Sequence, residues 1–238
     1  VALEVVEIPA GMGVMGPGNR FFSEAPPHPV RIAAPFLLGR HLVTQAQWEA
    51  VMGANPSRFR DPPDLPVDSV SWDDAEAFCG RLSALTGRRC RLPTETEWEY
   101  ACRAGTTGDF FFGAWGPYAD DTAIPRAVRL ALAEHAWFDE DSAERSHPVG
   151  RKRANPWGLH DMVGNLWEWC AASWHDDYVG APVDGSAWRH PGDTDPRRVL
   201  RGGAWAMNAF RCRSSYRSDD HRSVATSRFG VQVVVEGA

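Results

Sequence analysis

The soft nucleophiles and metal ligands of this 238-residue chain are five cysteines, Cys79, Cys90, Cys102, Cys170 and Cys212. None forms a C-x-x-C pair, so the spacing supports neither a zinc ribbon nor a dithiol redox centre. His135, His147, His160 and His175 are scattered without metal-ligand spacing and read as surface or turn residues. Hard oxygen ligands are better placed. In Gly164-Asn-Leu-Trp-Glu168, the side chains of Asn165 and Glu168 and the carbonyls between them make an oxygen set of the kind calcium prefers. The same two residues would equally serve as a turn cap (Asn165) and the partner of an arginine (Glu168). Asp139 and Asp141 form a sparser second pair for an ion.

Three helices are expected ahead of these residues. Thr44 and Gln47 make a capping box before Trp48, Val51 and Met52, with Gly53 as the stop. Ser71 precedes an apolar stripe at helical spacing from Trp72 to Leu85, ending at Gly87. Thr94 and Glu97 cap a third helix carrying Trp98, Ala101 and Cys102, closed by Gly105. Short strands are expected at Glu4-Val-Val-Glu-Ile-Pro, Val30-Arg-Ile and Phe36-Leu-Leu-Gly. The glycine-rich stretch from Gly11 to Gly18 reads as a turn-rich connection. After Gly105 helical periodicity stops, and residues 108–135 and 176–197 read as long irregular insertions, a length associated with function.

The totals bound the rest. A chain of this length buries about 70–75% of its unfolded surface and needs no metal or disulfide to hold a core. Eighteen prolines, 22 glycines and 11 tryptophans point to a loop-rich globular protein. A net charge of −6 argues against nucleic acid as a partner. No apolar run approaches 18 residues, so no membrane partner is expected. The odd cysteine count fits reduced thiols and a cytoplasmic setting, although the chain begins at Val1 and localisation stays open. Lysine occurs once, at Lys152, whereas arginine is abundant. No repeat or linker divides residues 1–238, which read as a single domain with 198–238 as its C-terminal segment.

Along nearly its whole length the chain resembles the formylglycine-generating enzyme (sulfatase-modifying factor) superfamily. The resemblance is carried by Met15-Gly16, Glu24, Pro27-His28-Pro-Val, Val43-Thr-Gln-Ala-Gln-Trp48, Asn55-Pro-Ser and Ser71-Trp-Asp-Asp-Ala. It continues through Arg91-Leu-Pro-Thr-Glu-Thr-Glu-Trp-Glu-Tyr-Ala101, His147-Pro-Val-Gly150, Asn155 to Trp169, and Arg201-Gly-Gly-Ala-Trp205. It implies an α+β, C-type-lectin-like fold with two or three helices on small twisted antiparallel sheets, rich in irregular loops. It also implies a structural calcium at Asn165 and Glu168. The family's oxidases bind copper through two cysteines five residues apart. Aligning Arg213-Ser-Ser-Tyr-Arg217 with that segment puts Ser214 and Ala209 at those positions, leaving Cys212 as a lone thiol. The family's sulfoxide synthases use an iron site of several histidines, normally helped by a second domain that is not seen here. No copper, iron or catalytic residue is therefore expected.

The C-terminal segment also resembles the non-enzymatic variable proteins of diversity-generating retroelements, in its Arg-Gly-Gly-Ala-Trp start and its Cys212-Arg-Ser214. The Phe229-Gly230 order departs from the usual Gly-Phe. From Asn208 to Gly230 there is no Lys, Gln, Glu, Met or Trp, the five residues that adenine-directed mutagenesis of asparagine codons ending in C cannot produce. The resemblance implies a non-enzymatic ligand-binding protein displaying a C-terminal surface for a protein or small molecule. Its residues would be Ala206, Asn208, Phe210, Arg211, Ser214, Tyr216, Ser218, Asp219, Asp220 and His221, a mixed aromatic and polar set suited to adaptable binding. Arg213, Arg217 and Arg222 are expected beneath that surface, on carbonyls and carboxylates. The rival readings are an oxygen- and metal-dependent oxidase with a divergent site, and a sensor or scaffold domain of a larger signalling protein.

Overall fold

The structure, a computed structural model, describes residues 2–16, 22–113, 116 and 118–237. Its elements, in chain order, start with β1 (Val5–Ile8), β2 (Gly11–Met15), β3 (His28–Ile32), β4 (Phe36–Gly39), α1 (Gln45–Met52) and α2 (Trp72–Thr86). Then come β5 (Cys90–Arg91), α3 (Glu95–Arg103), α4 (Arg126–Leu132), β6 (Trp167–Ser173) and β7 (Arg197–Arg201). The last are β8 (Arg217–His221), β9 (Phe229–Gly230) and β10 (Val234–Val235). One four-stranded sheet runs β1-β4-β10-β5 and another runs β8-β7-β6-β9, with β2 and β3 as a separate ribbon. The pairings are antiparallel except β6 with β9, which is parallel.

The three expected helices form as their caps dictate. Thr44, Ser71 and Thr94 each accept the N–H three residues on, while Gln47, Asp74 and Glu97 reach back to the cap. α3 ends one residue before its expected stop, with Ala104 taking the left-handed cap at φ 46°. Two expectations fail. Residues Gly11–Met15 are a strand rather than a turn, because the Tyr100 ring lies where side chains on Gly11 and Gly13 would sit. Of that stretch, Pro17 and Gly18 lie outside the described residues. The 108–135 segment contains a fourth helix, α4, which begins after Pro125 without a side-chain cap and buries Val128 and Leu132.

The centre of the molecule is polar where α3 meets the second sheet. Glu95, Glu99 and Arg103 fall at i, i+4 and i+8, one face of α3, and all three are buried. Arg201 of β7 and Arg217 of β8 are direct cross-strand neighbours and point at this face. Glu95 accepts from Arg217 Nε at 2.6 Å, Arg217 Nη2 at 3.0 Å and the Tyr178 hydroxyl at 3.0 Å. Glu99 accepts from Arg201 and, at 2.8 Å, from Arg103 Nε. Burial alone would raise the Glu95 pKa, but Arg217 and Arg201 hold it below the ordinary carboxylate value. Burial likewise opposes the charge on Arg201, but Glu99, with Glu95 and other neighbours, more than compensates, so its pKa rises.

Removing one partner from a buried ion network leaves the other charge uncompensated. Glu99→Gln is expected to lower unfolding free energy by roughly 3–5 kcal/mol in urea melts. Asp64→Asn, which breaks the exposed pair with Arg151, is expected to change it by less than about 1 kcal/mol. Equal losses would show that the Arg201–Glu99 network is not what holds this layer.

Candidate functional site

The C-terminal segment is built from the inside outward. Gly203, at φ 79°, lies so close to Cys212 that a Cβ there would stand 2.7 Å from the thiol sulfur, which accounts for the glycine in Gly-Gly-Ala-Trp. Asn208 caps a 3-10 turn, Ala209–Cys212, by accepting the Arg211 N–H at 3.3 Å. Arg201 then donates to the Ser214 carbonyl at 2.8 Å and the Ser215 carbonyl at 3.1 Å. Arg213 grips Glu24 through two hydrogen bonds, 2.7 and 3.0 Å, and donates to the Phe210 carbonyl. Arg217 also donates to the carbonyls of Ser23 and His175, and Arg222 bridges Asp73 and Asp193. Arg201 and Arg213 thus hold the backbone of this segment. Arg217 holds Glu95 and carbonyls of other loops, and the half-buried Arg222 holds carboxylates, in line with the carbonyl and carboxylate partners expected for Arg213, Arg217 and Arg222.

The ten expected ligand residues fall into two groups and one exception. Ala206, Asn208, Phe210, Arg211 and Tyr216 lie around the 3-10 turn, exposed or half-buried. Phe210 meets Tyr216 edge-on at 5.8 Å, and Tyr216 leans on Trp167. Ser218, Asp219, Asp220 and His221 lie instead on β8, the outer strand of its sheet. Burial raises the Asp219 pKa, and His221 is tied locally to Ser223 at 2.8 Å. Ser214 is fully buried and cannot meet a ligand from solvent, because its carbonyl is drawn inward by Arg201. Beside the first group, Arg58, Asp139, Ser142, Glu144, Trp205 and Ala206 line a groove of about 370 Å³. Sequence reasoning missed Arg58, Ser142 and Glu144, which come from loops distant in the chain.

The thiols are all free and buried. Burial pushes Cys102 up to about 12 and Cys79, Cys170 and Cys212 well above the ordinary thiol value, so they are held as neutral, unreactive groups. The histidines His135, His147, His160 and His175 each direct a ring nitrogen at a backbone carbonyl, of Arg153, Ser142, Lys152 and Ser173 respectively. Among the described residues no three His, Cys, Asp or Glu side chains gather as a metal cluster.

The expected oxygen site is rearranged. Asn165, left-handed at φ 59°, accepts from the His147 N–H and donates to the His147 carbonyl at 3.0 Å each, and to Asp161 at 3.3 Å. Its side chain braces a turn. Glu168 is fully buried with neither carboxylate oxygen in a hydrogen bond. Among the described residues it pairs with no arginine, because its cross-strand neighbour Arg201 is committed to α3. Burial drives the Glu168 pKa well up; the Trp98 indole nearby opposes this without forming a proper hydrogen bond, and Asp161 adds to it. Asp161, also buried, is raised by desolvation. Glu168 and Asp161 are thus two buried carboxylates here, and the equally buried Asn165 adds an amide oxygen that accepts the His147 N–H. Asp141 is occupied by Lys152, whose ammonium lies 2.6 Å from its carboxylate, donates to the Ala133 carbonyl and sits 3.7 Å above the Trp137 ring.

Residues 2–237 match the family model of the sulfatase-modifying factor enzyme 1-like domain. The chain belongs to this family. The formylglycine-generating enzyme of Streptomyces coelicolor is 36% identical over 177 residues, covering 71% of this chain and 51% of the relative. The inactive C-alpha-formylglycine-generating enzyme 2 of Bos taurus is 34% identical over 191 residues, covering 79% and 52%. The chain spans about half the length of these two curated relatives. Among solved structures, PvdO from Pseudomonas aeruginosa superposes with a TM-score of 0.85 at 31% identity, covering 99% of this chain and 95% of that one. Treponema denticola variable protein 1 superposes at 0.82 with 26% identity, covering 100% and 96%. The fold is thus the C-type-lectin-like architecture of this sulfatase-modifying-factor family, with four α-helices among the described residues rather than the expected two or three. In this member, Ala209 and Ser214 stand at the positions where the sequence resemblance puts paired thiols, and both are fully buried.

Thiol alkylation tests the burial. The native protein is expected to leave its five cysteines unmodified by maleimide on a timescale that labels all five in urea. Rapid native labelling of Cys212 would indicate an accessible, activated thiol.

Proposed function

We propose that this protein is a non-enzymatic, ligand-binding member of its family that displays the surface around Ala206, Asn208, Phe210, Arg211 and Tyr216. The observation that carries the reading is the division of labour in the segment. Arg201 and Arg213 fix its backbone from below and Arg217 ties it to Glu95 of α3, so the outward side chains can vary without altering the core. Similarity over the whole chain to a Treponema denticola variable protein supports the same reading. The relatives named as formylglycine-generating enzymes favour an oxidase instead, but soft-metal chemistry there would have to proceed without the thiolate pair. Incubation with copper, oxygen and a cysteine-containing sulfatase peptide is expected to yield no aldehyde by mass spectrometry. Turnover would refute the binding reading. A near-copy of the codons for residues 198–229, differing at adenines and lying beside a reverse transcriptase gene, would identify the surface as diversified.

We further propose that Glu168 and Asp161, with carbonyls of the turn between them, hold a structural calcium ion. Two buried carboxylates without a cation, one with both oxygens unpartnered, suit a hard divalent ion. Without the ion, each raised carboxyl contributes most to stability when protonated. That contribution is lost as pH rises from the ordinary carboxylate range through the raised folded value. In chelator, the melting temperature is therefore expected to fall as pH rises above the ordinary carboxylate range, and added calcium should offset the fall. Glu168→Gln should abolish the calcium response. Melting that ignores calcium at neutral pH would sink the site.

A further inference from the structure

We propose that the groove beside Trp205 is a peptide subsite in which Arg58 and Arg145 clamp a carboxylate of the bound segment. The proposal rests on the ligand-binding reading above and names the chemistry of what that surface takes. Three loops far apart in sequence meet at this groove, and each is fixed before any ligand arrives. In the first, the Asp68 carboxylate accepts the N–H groups of Arg58 at 2.8 Å and Phe59 at 3.4 Å. Gln45 donates to the Phe59 carbonyl at 2.7 Å, and the Phe59 ring meets Trp205 edge-on, 5.6 Å between centroids. In the second, buried Ser142 donates its hydroxyl to the Trp205 carbonyl at 2.8 Å. Ala143 and Glu144 follow at φ 52° and 58°, a left-handed pair that side-chain-bearing residues adopt only when the surroundings impose it. The third loop supplies Trp205 and Ala206.

This preset geometry brings two guanidinium groups to one aromatic ring. Arg58 lies 5.4 Å and Arg145 5.7 Å from the Phe59 centroid. Both are exposed, and among the described residues neither side chain forms a hydrogen bond or ion pair, although the Arg58 charge acts on the buried Asp68 carboxylate. The segment's buried arginines differ, since Arg213 and Arg217 are locked onto Glu24 and Glu95. A guanidinium laid over a ring keeps its N–H edge available, and that edge matches a carboxylate. Asp139 and Glu144 line the same groove, so a uniformly acidic ligand is disfavoured. The complement is a peptide carrying Asp or Glu with Lys or Arg close by in its sequence. Charged groups of both signs beside half-buried aromatics are also unlike the mostly apolar lining of a cofactor pocket.

A random-peptide library displayed on phage and panned against the folded protein tests this. Enriched peptides are expected to combine Asp or Glu with Lys or Arg and to weaken with added salt. Changing the acidic residue of the best peptide to its amide, or making Arg58→Ala with Arg145→Ala, should each weaken binding about tenfold or more. The corresponding double lysine variant should retain part of the affinity. The double alanine variant should melt as the parent does, because neither side chain holds the fold. Ala206→Trp, which fills the groove, should abolish binding. Peptides blocked by Ala206→Trp but indifferent to the arginines and to the carboxylate would overturn the clamp and leave the binding surface standing. No enriched peptide, or peptides indifferent to Ala206→Trp, would overturn both.

Discussion

The contact between Arg201 and the acids of α3 is the constraint around which the rest of the structure is arranged. Two carboxylates and three guanidiniums cannot enter a protein interior singly, since desolvation of either sign alone is prohibitive. They enter together, and α3, β7 and β8 must therefore dock at one register. Tyr178 and the Ser214 and Ser215 carbonyls complete the donors and acceptors. Such a network adds little net stability compared with an apolar core of the same shape. What it supplies is position: the backbone of residues 213–217 can lie in only one place when its carbonyls are held from below.

That arrangement explains which parts of the molecule were legible in the sequence. Capping boxes are local, so Thr44 and Thr94 announced their helices, and Ser71 announced α2 through the stripe that follows it. The family could be read because its motifs run in order along the chain. Interactions set by distant partners were not legible. Gly11 and Gly13 look like turn residues until the Tyr100 ring occupies the space they leave. α4 starts at Pro125 without a capping side chain and is too short for its periodicity to stand out. Within Asn165-Leu-Trp-Glu168 the spacing gave two oxygen donors but could not say that Asn165 would brace His147, or that Asp161, outside that run, would be buried as a second carboxylate. Ser214 belonged to an apparently exposed run, and nothing nearby in sequence says that Arg201 pulls its carbonyl inward. The groove at Trp205 drew on loops more than 50 residues apart and had no sequence signal.

A fold of this kind separates the task of standing still from the task of touching something else. Its helices, sheets and buried arginines define a platform, while the outward side chains of the 3-10 turn take little part in holding it. Relatives bearing names as different as an enzyme and a variable protein fit that separation, because one scaffold can host unrelated sites when chemistry is confined to the loops.

The single lysine gives the domain an unplanned reporter. Lys152 is fastened between Asp141, the Ala133 carbonyl and the Trp137 face, with its side chain only 13% exposed. The folded domain therefore offers almost no free side-chain amine to acylating agents. Any acylation at Lys152 must wait for the strap that joins α4 to the turn before β6 to swing open. Its rate would measure the free energy of that local opening, much as amide exchange does for a backbone group, at one site and without an added label.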